Sequence, residues 1–191
     1  MAAGEAFERV EVRSRGEWRG WLAANHRRRE SIWLVRFKAH HPDYLPYDDA
    51  VEEALCFGWV DSVPRKLDAD RSMTLMSPRK PGSAWSAINK RRIAAMEASG
   101  SMAAPGRAAV EAAKANGMWT FLDDVERLEV PADLATAFEA VPGSRAAWDA
   151  FPPSARRGML SWIKQAKTAA TRAKRIGRTA ECASRGERAL G

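Results

Sequence analysis

The sequence predicts an α+β fold, a small antiparallel sheet with packed helices followed by a C-terminal helical bundle. Three features of the 191 residues carry that reading. The run SIWLVRFK (31–38) is β-branched and aromatic, as a strand buried on at least one face requires. WVDSVPRKL and RSMTLMS flank the short connector Asp68, Ala69, Asp70, the pattern of a β-hairpin. Much of the remainder is alanine-rich, with apolar residues at helical spacing.

Ser14 followed by Glu17 is a capping box, and Trp18, Trp21 and Leu22 then share one face, so a helix is expected over 15–25. His40, His41, Pro42 and Asp43 form a turn after the strand; adjacent histidines share one ion poorly, and no metal or other cofactor is assigned. Asp48 is placed to cap a helix over 49–57, with Gly58 at its C′ position. Pro64 puts its hairpin strand on an edge. Ser83 is the expected N-cap of a helix over 84–99, with Trp85, Ile88, Arg92, Ile93 and Met96 on one stripe and Lys90 and Arg91 outward.

Residues 104–116 read as a helix stopped by Gly117. MWTFL (118–122) is a short apolar plug before an acidic linker, 123–129, and the domain boundary follows it: a mixed domain over 1–122 and a basic helical domain over 123–191. In the second, helices are expected near Leu134 and Phe138, over 144–151, over 154–167 and over 169–184.

Cys56 and Cys182 are too few and too far apart for a disulfide framework. With no basic leader ahead of an apolar run and no apolar window of about eighteen residues, a cytoplasmic, soluble protein is expected. The net charge is +7, and residues 152–191 alone hold ten basic side chains against two acidic ones. Such a tail suggests an anionic partner, nucleic acid included, or a solvated helix face. Oligomeric state is left open.

The candidate site is SPRKPGSAWSAIN (77–89). Two prolines stiffen a basic loop that feeds a capped helix start, where free N–H groups and the dipole favour an anion. Arg79, Lys80, Ser83, Ser86 and Asn89 are the candidate contacts to a small anionic ligand or acidic partner, with Trp59 and Trp85 as walls. Plain capping with solvated cations accounts for the same residues. Asp61, two residues after Trp59, either orients a ligand or pairs with Arg79. In the tail, Lys164, Lys167, Thr171, Lys174 or Arg175, and Arg178 recur at three- and four-residue spacing, with Thr171 and Arg172 placed to cap and brace that face, a ridge able to follow phosphates or to pair with the acids of 123–129.

Walker loops, nucleophile elbows, zinc-protease helices and dinucleotide fingerprints do not occur, so no catalytic residue is assigned. Asp61 and Cys56 are the groups an unannounced enzyme would use, although a thiol at a helix C-terminus is raised in pKa and burial is its simpler role.

With these residues laid out, ALCFGWVDS (54–62), SPRKPGSAWSAIN (77–89), the Gly100-x-Met102 turn, AKANGMW (113–119) and WIKQAKTAATRAKRI (162–176) resemble the bacteriocin-protection family of YdeI or OmpD-associated proteins. The resemblance implies a bacterial protein linked to antimicrobial-peptide tolerance or the stress response, with no established reaction. AATRAKRI stands where such tails carry an acidic residue before Thr-Arg. The helix, strand, helix, hairpin, helix order is also similar to frataxin-like and YdhG-like domains.

Overall fold

The computed structural model describes residues 7–190. The chain divides into two units, Met1–Thr120 and Phe121–Gly191.

The first unit is built on a four-stranded sheet: β1 (Arg9–Val12), β2 (Ile32–Phe37), β3 (Trp59–Lys66) and β4 (Arg71–Pro78), in the order β1-β2-β4-β3. The expected antiparallel sheet is in fact mixed. β2 pairs antiparallel with β4, and β4 with β3, but β1 pairs parallel with β2, Val10 opposite Leu34. The helix between them, α1 (Arg15–Asn25), supplies the crossover that parallel neighbours need. β1 escaped the sequence reading because four residues, RVEV, give too little alternation to stand out.

α1 begins where the capping box placed it: Ser14 accepts from the Glu17 N–H at 3.1 Å, and Glu17 accepts from the Arg13 N–H at 2.7 Å. α2 (Tyr47–Cys56) starts earlier than expected and is not capped by Asp48. Pro46 occupies the cap position without a side-chain bond, while Asp48 and Asp49 lie in the first turn, where the dipole favours acids. Gly58 follows at φ +75°, the left-handed C′ conformation that glycine takes without strain.

The connector of the hairpin is fixed by Asp68, whose carboxylate accepts from the Asp70 and Arg71 N–H groups at 3.0 and 2.7 Å. Register shifts between Asp61 and Pro64, on the edge strand β3, where a residue lacking an N–H is tolerated.

Two helices complete this unit, α3 (Ala87–Ala98) and α4 (Ala104–Ala115). The cap of α3 is Ser86 and not Ser83: the Ser86 hydroxyl accepts from the Asn89 N–H, whereas the Ser83 N–H closes a turn onto the Lys80 carbonyl at 2.9 Å. Pro81 and Gly82 make that turn, so three residues expected in the helix are spent reaching it. α4 passes against the end of α2 at Gly106, where an added Cβ would lie 2.2 Å from the Cys56 carbonyl oxygen. Only glycine allows that approach.

One face of the sheet carries the main core: Val10, Val12, Ile32, Leu34, Trp59 and Met76 pack with Trp18 and Leu22 of α1, most of α2, Trp85, and Ile93 and Met96 of α3. The other face holds a smaller cluster, Trp33, Val35 and Met73, with Arg65 over the Trp33 ring at 4.8 Å. β2 is therefore buried on both faces, one more than its composition required.

The second unit is helical: α5 (Asp123–Glu126), α6 (Ala132–Ala140), α7 (Ser144–Ala150), α8 (Pro153–Lys164) and α9 (Ala169–Ser184). Leu134, Phe138, Trp148, Met159, Leu160, Ile163, Ile176 and Ala180 are among its buried residues, with the Phe138 and Trp148 rings 5.3 Å apart. α9 starts at Thr168, whose hydroxyl accepts from the Thr171 N–H. Part of the stretch expected as linker is the single turn α5, held by Leu122 and Asp123 carbonyls. Among the described residues no helix is long and apolar enough to cross a membrane.

Candidate functional site

Arg79 follows the last residue of β4, and its N–H bonds the Gly58 carbonyl at 2.9 Å, which anchors the loop to the end of α2. Its guanidinium lies over the Trp85 ring, 3.7 Å from the centroid, and Nη2 donates to the Ala84 carbonyl at 2.5 Å. Nε and Nη1 are buried with no hydrogen-bond partner. Burial lowers the Arg79 pKa to about 10, partly offset by the charge of Asp61. Among the described residues no carboxylate reaches ion-pair distance of it.

The expected Asp61–Arg79 pair is thus an interaction through space only. Asp61 instead accepts a short hydrogen bond from the Tyr47 hydroxyl, and Tyr47, through burial and that bond, is pushed up to about 12. A hollow of about 70 Å³ lies along Arg79, Lys80, Pro81 and Trp85 and against Ala109, Ala112 and Ala113 of α4. Lys80 is exposed beside it.

The other expected contacts do not gather here. Trp59 is fully buried in the core, its ring edge-on to Trp21 at 5.6 Å. Strand alternation sends it inward, while Asp61, beside the bulge, stays half-exposed with Tyr47. Ser83 serves the turn, and Ser86 caps α3. Asn89 accepts from Arg92 at 3.0 Å, and Arg92 pairs with Asp48, so that helix start is closed by its own neighbours.

A second buried arginine was not flagged by the sequence reading. Arg36, only 6 % exposed, donates to the Leu45 carbonyl at 2.8 Å and lies over the Tyr47 ring at 5.4 Å, again without a carboxylate; burial lowers its pKa. The signal was one arginine inside an apolar strand. Cys56 is fully buried, and burial with the charge of Glu53 pushes its thiol up to about 11, the wrong direction for a nucleophile. Of the two histidines of the turn, His41 stacks on Phe37 at 4.0 Å, and His40 meets Asp70 at 3.1 Å.

The tail ridge is largely neutralised inside its own unit. Lys164 pairs with Asp124 at 2.5 Å, Arg157 with Glu126 at 2.9 Å, and Arg172 grips Asp133 through two bonds of 2.7 and 2.9 Å. Arg175 stacks on Trp162 at 4.9 Å and bonds its carbonyl. Burial raises Asp124, but Lys164 outweighs it and the carboxyl sits below its ordinary range; Asp133 is lowered by Arg172. Thr171 is the N3 position of the α9 cap, its hydroxyl 2.9 Å from that of Thr168. Lys167 and Arg178 remain exposed, with Lys174. The +8 of residues 152–191 falls, over residues 121–191 as a whole, to 12 basic against nine acidic residues.

No curated protein and no solved structure matches the chain. Two family models do. Residues 10–109, which hold the motifs at 54–62 and 77–89, match a domain of unknown function (DUF8412), and residues 127–186, which hold the tail motif, match the bacteriocin-protection, YdeI or OmpD-associated family. With more than half of its length in the first match, the chain belongs to the DUF8412 family, and its helical unit carries a bacteriocin-protection, YdeI or OmpD-associated domain.

Proposed function

We propose that this is a bacterial binding protein of the bacteriocin-protection type that receives a small anionic group, a carboxylate or a phosphate, at the corner formed by Arg79, Lys80 and Trp85. One observation carries the reading: a buried guanidinium held by a ring face and one carbonyl, with two nitrogens unpartnered, beside a hollow. A desolvated cation without a counterion is costly, and an arriving anion recovers part of that cost. A hollow of about 70 Å³ suits a terminal phosphate or carboxylate and not a whole nucleotide. Nε and Nη1 are covered, so binding requires Trp85 to slide, and Lys80 attracts the anion at the mouth. The two free, buried cysteines favour a reducing compartment, and we place the protein in the cytoplasm.

The nucleic-acid alternative draws less support. Lys164 and Arg172 are already neutralised, which leaves Lys167, Lys174 and Arg178 as the exposed cations of the ridge. An enzyme using Cys56 and Asp61 draws less still, because the thiol is buried and the carboxylate is committed to Tyr47.

Tryptophan fluorescence tests the reading. Titration of the protein with inorganic phosphate and with acetate is expected to give a saturable change that Arg79→Gln abolishes. Flat responses in both proteins, or equal responses, overturn it.

A further inference from the structure

The helical unit holds a hollow of its own, about 130 Å³, between α5, α8 and the start of α9. Val125 of α5 with Leu160 and Ile163 of α8, all buried, give it an apolar lining. Four charged side chains line the same space, two of each sign: Asp124 and Glu129, Lys164 and Arg172. The turn after α5 brings Glu129 there, its N–H bonding the Asp124 carbonyl at 2.9 Å, with Leu128 in the left-handed region at φ +59°.

None of the four is saturated by its present partner. Lys164 gives one of its three N–H donors to Asp124 at 2.5 Å. Arg172 uses Nε and Nη2 on Asp133, which leaves Nη1 to donate elsewhere. Glu129 meets Arg127 through Oε1 and keeps Oε2. The Asp124 oxygens, which accept from Lys164 and from the Val125 N–H, each have a second lone pair. A ligand can therefore add to these pairs without breaking one.

We propose that this hollow is a site for a free α-amino acid with an aliphatic side chain. A bare anion gains from the two cations and is repelled by the two acids, and a bare cation meets the reverse; a group carrying both signs side by side gains from all four. The ammonium goes to Asp124 and Glu129, the carboxylate to Lys164 and Arg172, and the apolar lining takes the side chain. The neutralisation that turns nucleic acid away from this ridge is what suits it to a zwitterion. A peptide terminus brings one of the two charges and leaves the other pair unmet. Size agrees: an apolar cavity of about 150 Å³ takes a benzene ring, so this one holds a branched aliphatic chain and excludes a nucleotide.

Isothermal titration of the full chain with L-leucine provides the test. N-acetyl-L-leucine, which keeps only the carboxylate, and L-leucinamide, which keeps only the ammonium, are the comparisons. One L-leucine per chain is expected, bound at least about tenfold more tightly than either derivative, and weakened at least about fivefold in Glu129→Gln. Glu129 is 55 % exposed, so the variant folds, which circular dichroism confirms before titration. Arg79→Gln, in the other unit, keeps full affinity for L-leucine, so the phosphate titration at Arg79 and this one are read separately. No saturable binding of L-leucine up to about 10 mM, a derivative bound as tightly as L-leucine, or an affinity unchanged in Glu129→Gln or lost in Arg79→Gln each overturns the proposal.

Discussion

Two arginines of the sheet unit and three cations of the helical unit are held in opposite ways. In the sheet unit, Arg36 and Arg79 are buried, each laid on an aromatic face and tied to one backbone carbonyl, and among the described residues neither has a carboxylate at contact distance. In the helical unit, Lys164, Arg157 and Arg172 are partly exposed and each meets an acid. Exposed pairs are cheap and contribute little, whereas a buried cation without a counterion persists only if surrounding structure compensates it. The difference therefore points away from the part of the chain richest in arginine and towards the part where an arginine is left uncompensated. High local charge in a sequence is not the same as available charge in a fold.

The comparison breaks first at Trp85. This ring is 1 % exposed and carries the Arg79 guanidinium, and Trp85→Ala is expected to cost about 3–5 kcal/mol in chemical denaturation, as deletions of buried aromatics do. A loss near 1 kcal/mol would mean that the corner is loosely held and that the buried-cation description is wrong.

Stability against pH sharpens it next. Cys56 is raised from about 9 to about 11 in the folded state, so the native form keeps its proton where the unfolded chain releases it; stability is full below pH 9 and falls between about pH 9 and 11. Cys56→Ala should remove that slope. Asp124 and Asp133 are lowered, so their contribution is present above their ordinary range, near pH 4, and is lost as pH falls through the lowered values. Asp133→Asn should flatten the acid limb and leave the alkaline one. Mixed responses would erase the distinction between the units.

Smaller effects follow at the cations themselves. Arg79→Met removes an uncompensated charge and keeps an apolar stem on the ring, and the expected change is within about 1 kcal/mol of neutral. A loss of more than 3 kcal/mol would reveal a partner carboxylate that geometry does not show. Asp124→Asn, at a part-exposed pair, should cost about 0.5 kcal/mol and less in 1 M salt, where screening acts within about 3 Å.

Particular residues show how far the sequence reaches. α1 was legible to the residue because Ser14 and Glu17 are a local motif, whereas the cap of α9 at Thr168 emerged only in the structure. The cap of α3 was misplaced: Ser83 and Ser86 are chemically equal as caps, and the turn through Pro81 and Gly82, a matter of where β4 ends, decided between them. Trp59 and Arg79 were read as neighbours around one ligand because they are rich in chemistry and close in sequence. Strand alternation buried the first in the core, and the loop after β4 laid the second on Trp85.

Gly106 shows the same limit from the packing side. Nothing around it in an alanine-rich helix marks it as special, and its need for a bare Cα appears only when α4 meets the Cys56 carbonyl. The parallel strand β1 is a comparable case, since four residues gain their strand character from β2 and not from their own pattern.

By itself, the sequence determined the secondary-structure alphabet, the α+β class and the presence of cations and tryptophans between β4 and α3, because caps, turns and periodicity are interactions between near neighbours. Tertiary structure alone decided which of those cations are neutralised, which tryptophan lies under Arg79, and that a hollow opens between α5, α8 and α9. Charge compensation and burial depend on residues tens of positions apart, and no local pattern encodes which of them will meet.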